Sequence, residues 1–319
     1  MENMFEKLKD MVLNAEKIAV FAHENPDGDA LGSSFAFALG LMEMDKKARV
    51  FLGDFDGDTK EYMLIRGKEK MADISPDECD LKVALDCADF QRISLGGAEF
   101  TGETAAVDHH ITHIPYAKET VVEDAPATGE IVFDILSEWK VEITEEIADD
   151  LYIAIACDTG NFKYASTTPK THRIAARLIE CGAAFADIAR ELFYKKPMEY
   201  YALFKIALDR TQLFENGRAC IMYLSDEDFE KAGISDQQAG DIVTLPTKIE
   251  GVEIGAYIRK RKNGFKVSLR SNEHVDVAKI AVKFGGGGHI RAAGFSSELP
   301  IDELMEKVKT KITEALLTE

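Results

Sequence analysis

No apolar run in this chain approaches the roughly 20 residues needed to cross a bilayer, so no membrane-spanning helix is expected. The opening stretch MENMFEKLKDMVLNAEKI alternates charged and apolar residues and reads as a surface helix, not a secretory signal. Cysteine is sparse and unpaired. Cys79, Cys87, Cys157, Cys181 and Cys220 are odd in number and include no CxxC pair, which argues against a disulfide framework and a cysteine-built zinc site. They read as reduced thiols of a cytoplasmic protein. Positive charge is also short: 38 lysines and arginines face 57 acids, for a net charge of −19. A chain this acidic repels long polyanions, which disfavours duplex nucleic acid across a broad face. It still admits a small anion drawn in by metal ions or a local basic patch. Internal repeats and low-complexity segments are absent.

What is present fits two domains, since 319 residues with 46% hydrophobic content can bury two cores. The first half alternates patterns. Strands are expected at 17–22, 48–52, 82–86 and 104–108, and helices at 30–42, 127–139, 144–156 and 170–181. This is the signature of an α/β domain, a parallel sheet with helices on both faces, and such sheets bind ligands at the carboxyl ends of their strands. Residues 184–212 read as helix, break at Pro197, then helix. Beyond them come strands at 218–224, 252–261 and 265–271, the last two joined by an Asn263-Gly264 hairpin signal. Helices are expected at 275–283 and 301–317. The expected organisation is an α/β domain over 1–185, a helical connector over 186–212 and a smaller mixed α+β domain over 213–319.

Chemistry gathers where the early strands end. The run VFAHENPDGDALGSS places His23, Asp27 and Asp29 after the first strand. The strand at 82–85 leads to Asp86, the strand at 104–107 leads to Asp108, His109 and His110, and the apolar helix at 147–156 leads to Asp158. In a parallel sheet these ends share one edge, so residues distant in sequence converge. Mixed carboxylates and imidazoles suit Mn²⁺ and, less selectively, Mg²⁺, Fe²⁺ or Co²⁺. Six ligands drawn from these eight residues exceed what one ion needs; two ions roughly 3.5–4 Å apart, bridged by a carboxylate, would use them and would activate water against a phosphoryl group. The acidic run Asp54-Phe55-Asp56-Gly57-Asp58 lacks the closing glutamate of a calcium loop and reads as a solvated turn.

A second constellation lies at 284–295, FGGGGHIRAAGF. Four glycines let backbone N–H groups face an anion without side-chain obstruction, and His289 and Arg291 add donors. Upstream, YIRKRKNGFKVSLR holds six basic residues and no acid. Its first four read as a solvated hairpin tip, and Tyr257 and Phe265 as core residues. Arg270, at the end of the second strand, is the expected phosphate contact, its planar fork matching phosphate oxygens.

HxNPDGDALGS, ALD, VDHH, CDTGNF and GGGGHIRAAGF, in that order, resemble the DHH phosphoesterase superfamily with its DHH-associated C-terminal domain. Length and paired domains look most like its oligoribonuclease/pAp-phosphatase branch, where pAp is 3′-phosphoadenosine 5′-phosphate. That branch is similar to the RecJ nuclease in the N-terminal part and lacks RecJ's additional domain. The resemblance implies that His23, Asp27 and Asp86 hold one Mn²⁺. It implies that Asp29, Asp86, His109 and Asp158 hold the other. His110 would face the scissile phosphate and Asp108 would orient a histidine. Gly286, Gly287, Gly288, His289 and Arg270, with Arg92, would bind substrate. The implied activity is two-metal hydrolysis of short oligoribonucleotides such as pApA, or of pAp, in a cleft between the domains, with no membrane partner. Manganese-dependent pyrophosphatase, cyclic-dinucleotide phosphodiesterase and non-catalytic nucleotide sensor are the alternatives, and monomer or homodimer stays open.

Overall fold

The computed structural model describes residues 5–236 and 238–317. The chain divides into two compact units, Met1–Lys195 and Lys196–Glu319.

The first unit runs α1 (Glu6–Asn14), β1 (Lys17–Phe21), α2 (Gly28–Glu43), β2 (Lys47–Phe51), α3 (Lys60–Leu64), β3 (Leu81–Leu85), β4 (Glu103–Asp108), β5 (Glu119–Val122), α4 (Thr128–Glu138), α5 (Glu145–Asp158), α6 (Pro169–Glu180) and α7 (Phe185–Ala189). Its five strands are all parallel, in the order β2-β1-β3-β4-β5. The order reverses between β1 and β3, so the crevice at the carboxyl ends of those two strands is the natural ligand position. Strand residues alternate between the sheet's faces. Ile18 and Val20 join the main core with α2, α4 and α5, while Ala19 and Phe21 pack with Ala84, Cys87, Ile93 and Phe100. Helix α2 is buried along residues 28–41, as its nearly unbroken apolar sequence requires. Glycines let it press on α5. A Cβ at Gly32 would fall 2.3 Å from the Asp150 carbonyl oxygen, and one at Gly28 would fall 2.1 Å from Cys157 Sγ. That close approach brings Asp29 and Asp158 toward each other.

The second unit runs α8 (Met198–Asp209), β6 (Thr211–Phe214), β7 (Ala219–Leu224), α9 (Asp226–Ala232), β8 (Ile254–Arg261), β9 (Gly264–Ser271), α10 (Val277–Val282), β10 (Gly287–His289), β11 (Ala292–Ser297) and α11 (Ile301–Leu317). Its sheet has the order β10-β11-β9-β8-β7-β6, mixed because β7 and β8 are parallel. One face packs Ile258, Val267, Leu269 and Phe295 against α10 and α11. The other face packs Met222, Leu224 and Tyr257 against α8, α9 and residues 239–245.

The expected hairpin is there, with Arg261 opposite Gly264, and Tyr257 and Phe265 are both core residues. The hairpin tip differs from expectation. Arg259 is buried, bonded to Asp226 and Asp236 and lying over the Phe229 ring. Arg261 also pairs with Asp236. Acids more than twenty residues upstream neutralise what reads in sequence as a free basic run. The glycine run differs as well: its second half forms β10, zipped to β11.

Candidate metal and phosphate site

His23 follows β1 and is buried. Its Nδ1 donates to the Glu24 carbonyl at 2.8 Å, which leaves the Nε2 lone pair facing inward. His109 is fixed the same way, Nδ1 donating to the Ala125 carbonyl at 3.0 Å. Asp86 lies between the two imidazoles. Its Oδ2 is 3.7 Å from His23 Nε2, and its Oδ1 is 3.5 Å from His109 Nε2. This carboxylate sits on a left-handed backbone, φ 57°, and accepts a hydrogen bond from the Thr128 hydroxyl at 2.9 Å.

Around this centre the ligand atoms form two flanking groups. His23, Asp27 and Asp86 make one; Asp29, His109 and Asp158 make the other. Asp86, His109 and His110 also converge. Asp27 caps α2, accepting from the N–H groups of Asp29 and Ala30 at 3.1 Å each. Asp29 is fully buried and accepts from the N–H groups of Thr128 and Gly129 at 2.7 and 2.9 Å. Asp158, the last residue of α5, comes within 3.4 Å of His109 Nε2.

Asp108 is turned away from this cluster. Fully buried, it accepts from the backbone N–H of His109 and His110, from His110 Nδ1 at 2.7 Å and from His113 Nδ1 at 2.6 Å. It holds His110 so that Nε2 is free, on a side chain that is one-third exposed. Arg92 is exposed on the turn Phe90–Arg92, close enough for its charge to oppose protonation of His110.

The electrostatics follow from crowding. Burial, then the neighbouring Asp86, Asp158 and Asp27, raises the Asp29 carboxyl well above the usual range. Burial and Asp27 raise Asp86 too, against the pull of the surrounding histidines. Burial, Asp27 and Asp86 push Asp158 up to about 6. The hydrogen bond to Asp108 raises His110. Carboxylates this close call for cations between them. The donor set fits divalent ions: oxygen and imidazole donors, no thiolate, and imidazoles already oriented by carbonyl acceptors.

Thr128, Gly129 and the carbonyls of Glu24 and Ala125 were not expected from sequence. The stretch APATGE before an apolar helix carries only an ordinary helix-start signal. The run Asp54–Asp58 is a turn, Asp56 Oδ1 accepting from the Asp58 N–H.

In the second unit, strand register places Arg270, Ala292 and His289 side by side across β9, β11 and β10. Arg270 is half-buried, and its guanidinium donates to its neighbour's carbonyl, Leu269 O, at 3.0 Å. No acid pairs with it among the described residues, and burial lowers its pKa. The glycines divide. A Cβ at Gly286 or Gly288 would strike β11 backbone, at 2.2 Å from Gly294 O or 2.5 Å from Ala292 O, and Gly288 has φ 143°. Gly287 faces open space. We therefore expect Gly288→Ala to lose about 1–3 kcal/mol in urea unfolding and Gly287→Ala to match the parent. Equal losses at both positions would contradict this packing.

The pattern of the DHH family, N-terminal domain, matches residues 17–155, and that of the DHHA1 domain matches 216–316. The chain is 32% identical over 305 residues to the bifunctional oligoribonuclease and PAP phosphatase NrnA of Thermus thermophilus, covering 94% of this chain and 90% of that one. It is 25% identical over 299 residues to the protein of the same name from Bacillus subtilis, covering 88% and 89%. Among solved structures, an exopolyphosphatase-related protein from Bacteroides fragilis is similar in fold, with a TM-score of 0.84 at 24% identity, covering 99% of this chain and 98% of that one. No described helix is long and apolar enough to cross a membrane. With both patterns in sequence order and a relative aligned over nearly its whole length, this chain belongs to the DHH family of phosphoesterases.

Proposed function

We propose that this protein is a two-metal hydrolase of short nucleotides, cleaving the phosphodiester of small oligoribonucleotides such as pApA and the phosphomonoester of pAp. The observation that carries the reading is Asp86, whose two oxygens face two separately oriented histidines. His23, Asp27 and Asp86 would hold one ion; Asp29, Asp86, His109 and Asp158 would hold the other. Oxygen-rich ligation with imidazole favours Mn²⁺, with Mg²⁺ or Co²⁺ as substitutes. Such ions bring a water's pKa toward neutrality and polarise the phosphoryl oxygens. His110, held at Nδ1 by Asp108, presents Nε2 to the phosphate and supports the charge that builds on its oxygens. Arg92 adds positive charge on the same side. In the second unit Arg270, His289 and the N–H groups of Gly286, Gly287 and Gly288 would take the substrate's other phosphate. The activity named for the Thermus relative supports this choice of substrates.

The test is product analysis with pApA, pAp and pyrophosphate in parallel, with Mn²⁺ and with chelator. AMP release from pApA that needs the metal is the expected result. Pyrophosphate turnover without nucleotide turnover would replace this reading with a pyrophosphatase, and silence on all three would favour a nucleotide sensor. Thr128→Val probes the support of Asp86. Losing that hydroxyl is expected to raise the Mn²⁺ concentration for half-maximal activity by about 10–100-fold, measured by metal titration. An unchanged titration would remove Thr128 from the site.

A further inference from the structure

The six basic residues of the β8–β9 hairpin have different fates. Arg259 and Arg261 are spent on Asp226 and Asp236, Lys260 lies over the Phe265 ring, and Lys262 is exposed at the turn. Lys266 and Arg270 remain. Both project from the face of β9 opposite Phe265, Val267 and Leu269, which are buried against α10 and α11. Neither has an acid partner among the described residues.

That face is partly open where these two residues lie: Arg270, Ser268, Ala292 and Gly294 are half-buried, and Lys266, Ser296, Gly287 and His289 are exposed. The core beneath α8 and α9 draws its strand residues from β7 and β8; β9, β11 and β10 contribute none. The register then reads off three rows. Arg270, Ala292 and His289 form the first, Ser268, Gly294 and Gly287 the second, and Lys266 and Ser296 the third. Between its cations the surface carries only glycine, alanine and serine. In a chain of net charge −19, a partly open sheet face edged by cations with no acid partner among the described residues is complementary to a polyanion. Four residues of strand set Lys266 about 13 Å from Arg270. A ligand with one nucleoside that begins at Arg270 ends on the floor between the two cations. A longer strand reaches Lys266.

We propose that Lys266 is a second phosphate contact, which makes this face a track for single-stranded oligonucleotides longer than a dinucleotide. This rests on the nucleotide-hydrolase reading above and adds a determinant of substrate length to it. A flat, side-chain-poor floor also tolerates any base, so the track reads length rather than sequence.

The experiment compares kcat/KM for a five-nucleotide RNA and for pAp, in the parent, Lys266→Gln, Lys266→Arg and Lys262→Gln. Lys262→Gln removes the same charge at the turn. Lys266→Gln is expected to lower the five-mer to pAp ratio by about five- to tenfold, chiefly through KM, and to flatten the dependence of log KM on log salt by about 0.7, one phosphate contact on a single strand. Lys266→Arg should restore the ratio and Lys262→Gln should leave it as in the parent. A parental ratio in Lys266→Gln, or an equal loss in Lys262→Gln, overturns the track while pAp turnover keeps the hydrolase reading. A parent that hydrolyses neither substrate overturns both.

Discussion

Asp86→Asn is expected to lower kcat on pApA and pAp by on the order of 10³-fold or more while leaving the metal-free fold intact. The substitution suits the backbone, because asparagine accepts the left-handed conformation found at φ 57°. It also keeps a carbonyl oxygen for the Thr128 hydroxyl to reach. What it removes is the charge and one of two acceptor oxygens. The Asp86 oxygens face His23 Nε2 on one side and His109 Nε2 on the other, so an amide NH₂ must replace an oxygen at one of the two positions. Both candidate ion positions lose the negative charge that they share. Electrostatic repulsion falls in the metal-free state, since Asp86 is a buried carboxyl raised by burial and by Asp27. The variant in chelator should therefore melt no lower than the parent at pH 8. Asp54→Asn, in the exposed acidic turn, serves as the control and should retain parental activity. Turnover by Asp86→Asn within tenfold of the parent, with the fold intact, would remove Asp86 from the centre of the mechanism.

The site was legible because its chemistry contradicts its surroundings. An apolar strand that ends in His-x-x-x-Asp, Asp or Asp-His-His places polar groups where the fold would otherwise bury hydrocarbon, and parallel topology gathers such ends without any knowledge of contacts. The supporting groups were not legible. Thr128 and Gly129 touch Asp86 and Asp29 through a hydroxyl and two backbone N–H groups, across 42 to 100 residues of sequence, and nothing in the stretch APATGE records the partner. Strand β5 was missed for another reason. ETVV is four residues long and only one of them is buried, so it carries too little alternation to register. Strand β10 was hidden by composition. Glycine has no strand preference of its own, and β10 exists because β11 offers it an edge with small residues at Ala292, Ala293 and Gly294. Arg259 marks the limit of reading charge along a chain: its burial depends on Asp226 and Asp236, which only the folded sheet brings alongside.

Metal should stabilise the protein strongly at pH 8 and weakly at pH 5. Asp29, Asp86 and Asp158 all titrate higher in the folded chain than the ordinary aspartate value, Asp158 at about 6. Below pH ~4 these groups are protonated folded or unfolded and cost nothing. As pH rises, the unfolded chain releases its protons first while the folded chain retains them. Stability contributed by these groups then falls until the folded pKa values are passed, and the full cost persists above them. Asp108 works in the opposite sense. The hydrogen bonds from His110 and His113 outweigh its burial and hold its pKa down, so its contribution is present at neutral pH and lost on acidification. Comparing melting with and without metal at each pH cancels Asp108 and isolates the cluster. Divalent ions require deprotonated carboxylates and a neutral His23, whose own pKa is raised by Asp27 and the Glu24 carbonyl against the effect of burial. Protons therefore compete with metal across pH 5–7, and the gain grows through that window. With free Mn²⁺ a thousandfold above its dissociation constant the gain is about 4 kcal/mol, about 10 °C for a domain of this size. At pH 5 it should shrink to about a third or less of that. Differential scanning calorimetry with Mn²⁺ and with chelator at pH 5, 6, 7 and 8 measures it. A gain independent of pH would place the ion away from Asp29, Asp86 and Asp158, and no gain at pH 8 would leave the buried carboxylates without the cation that their crowding requires.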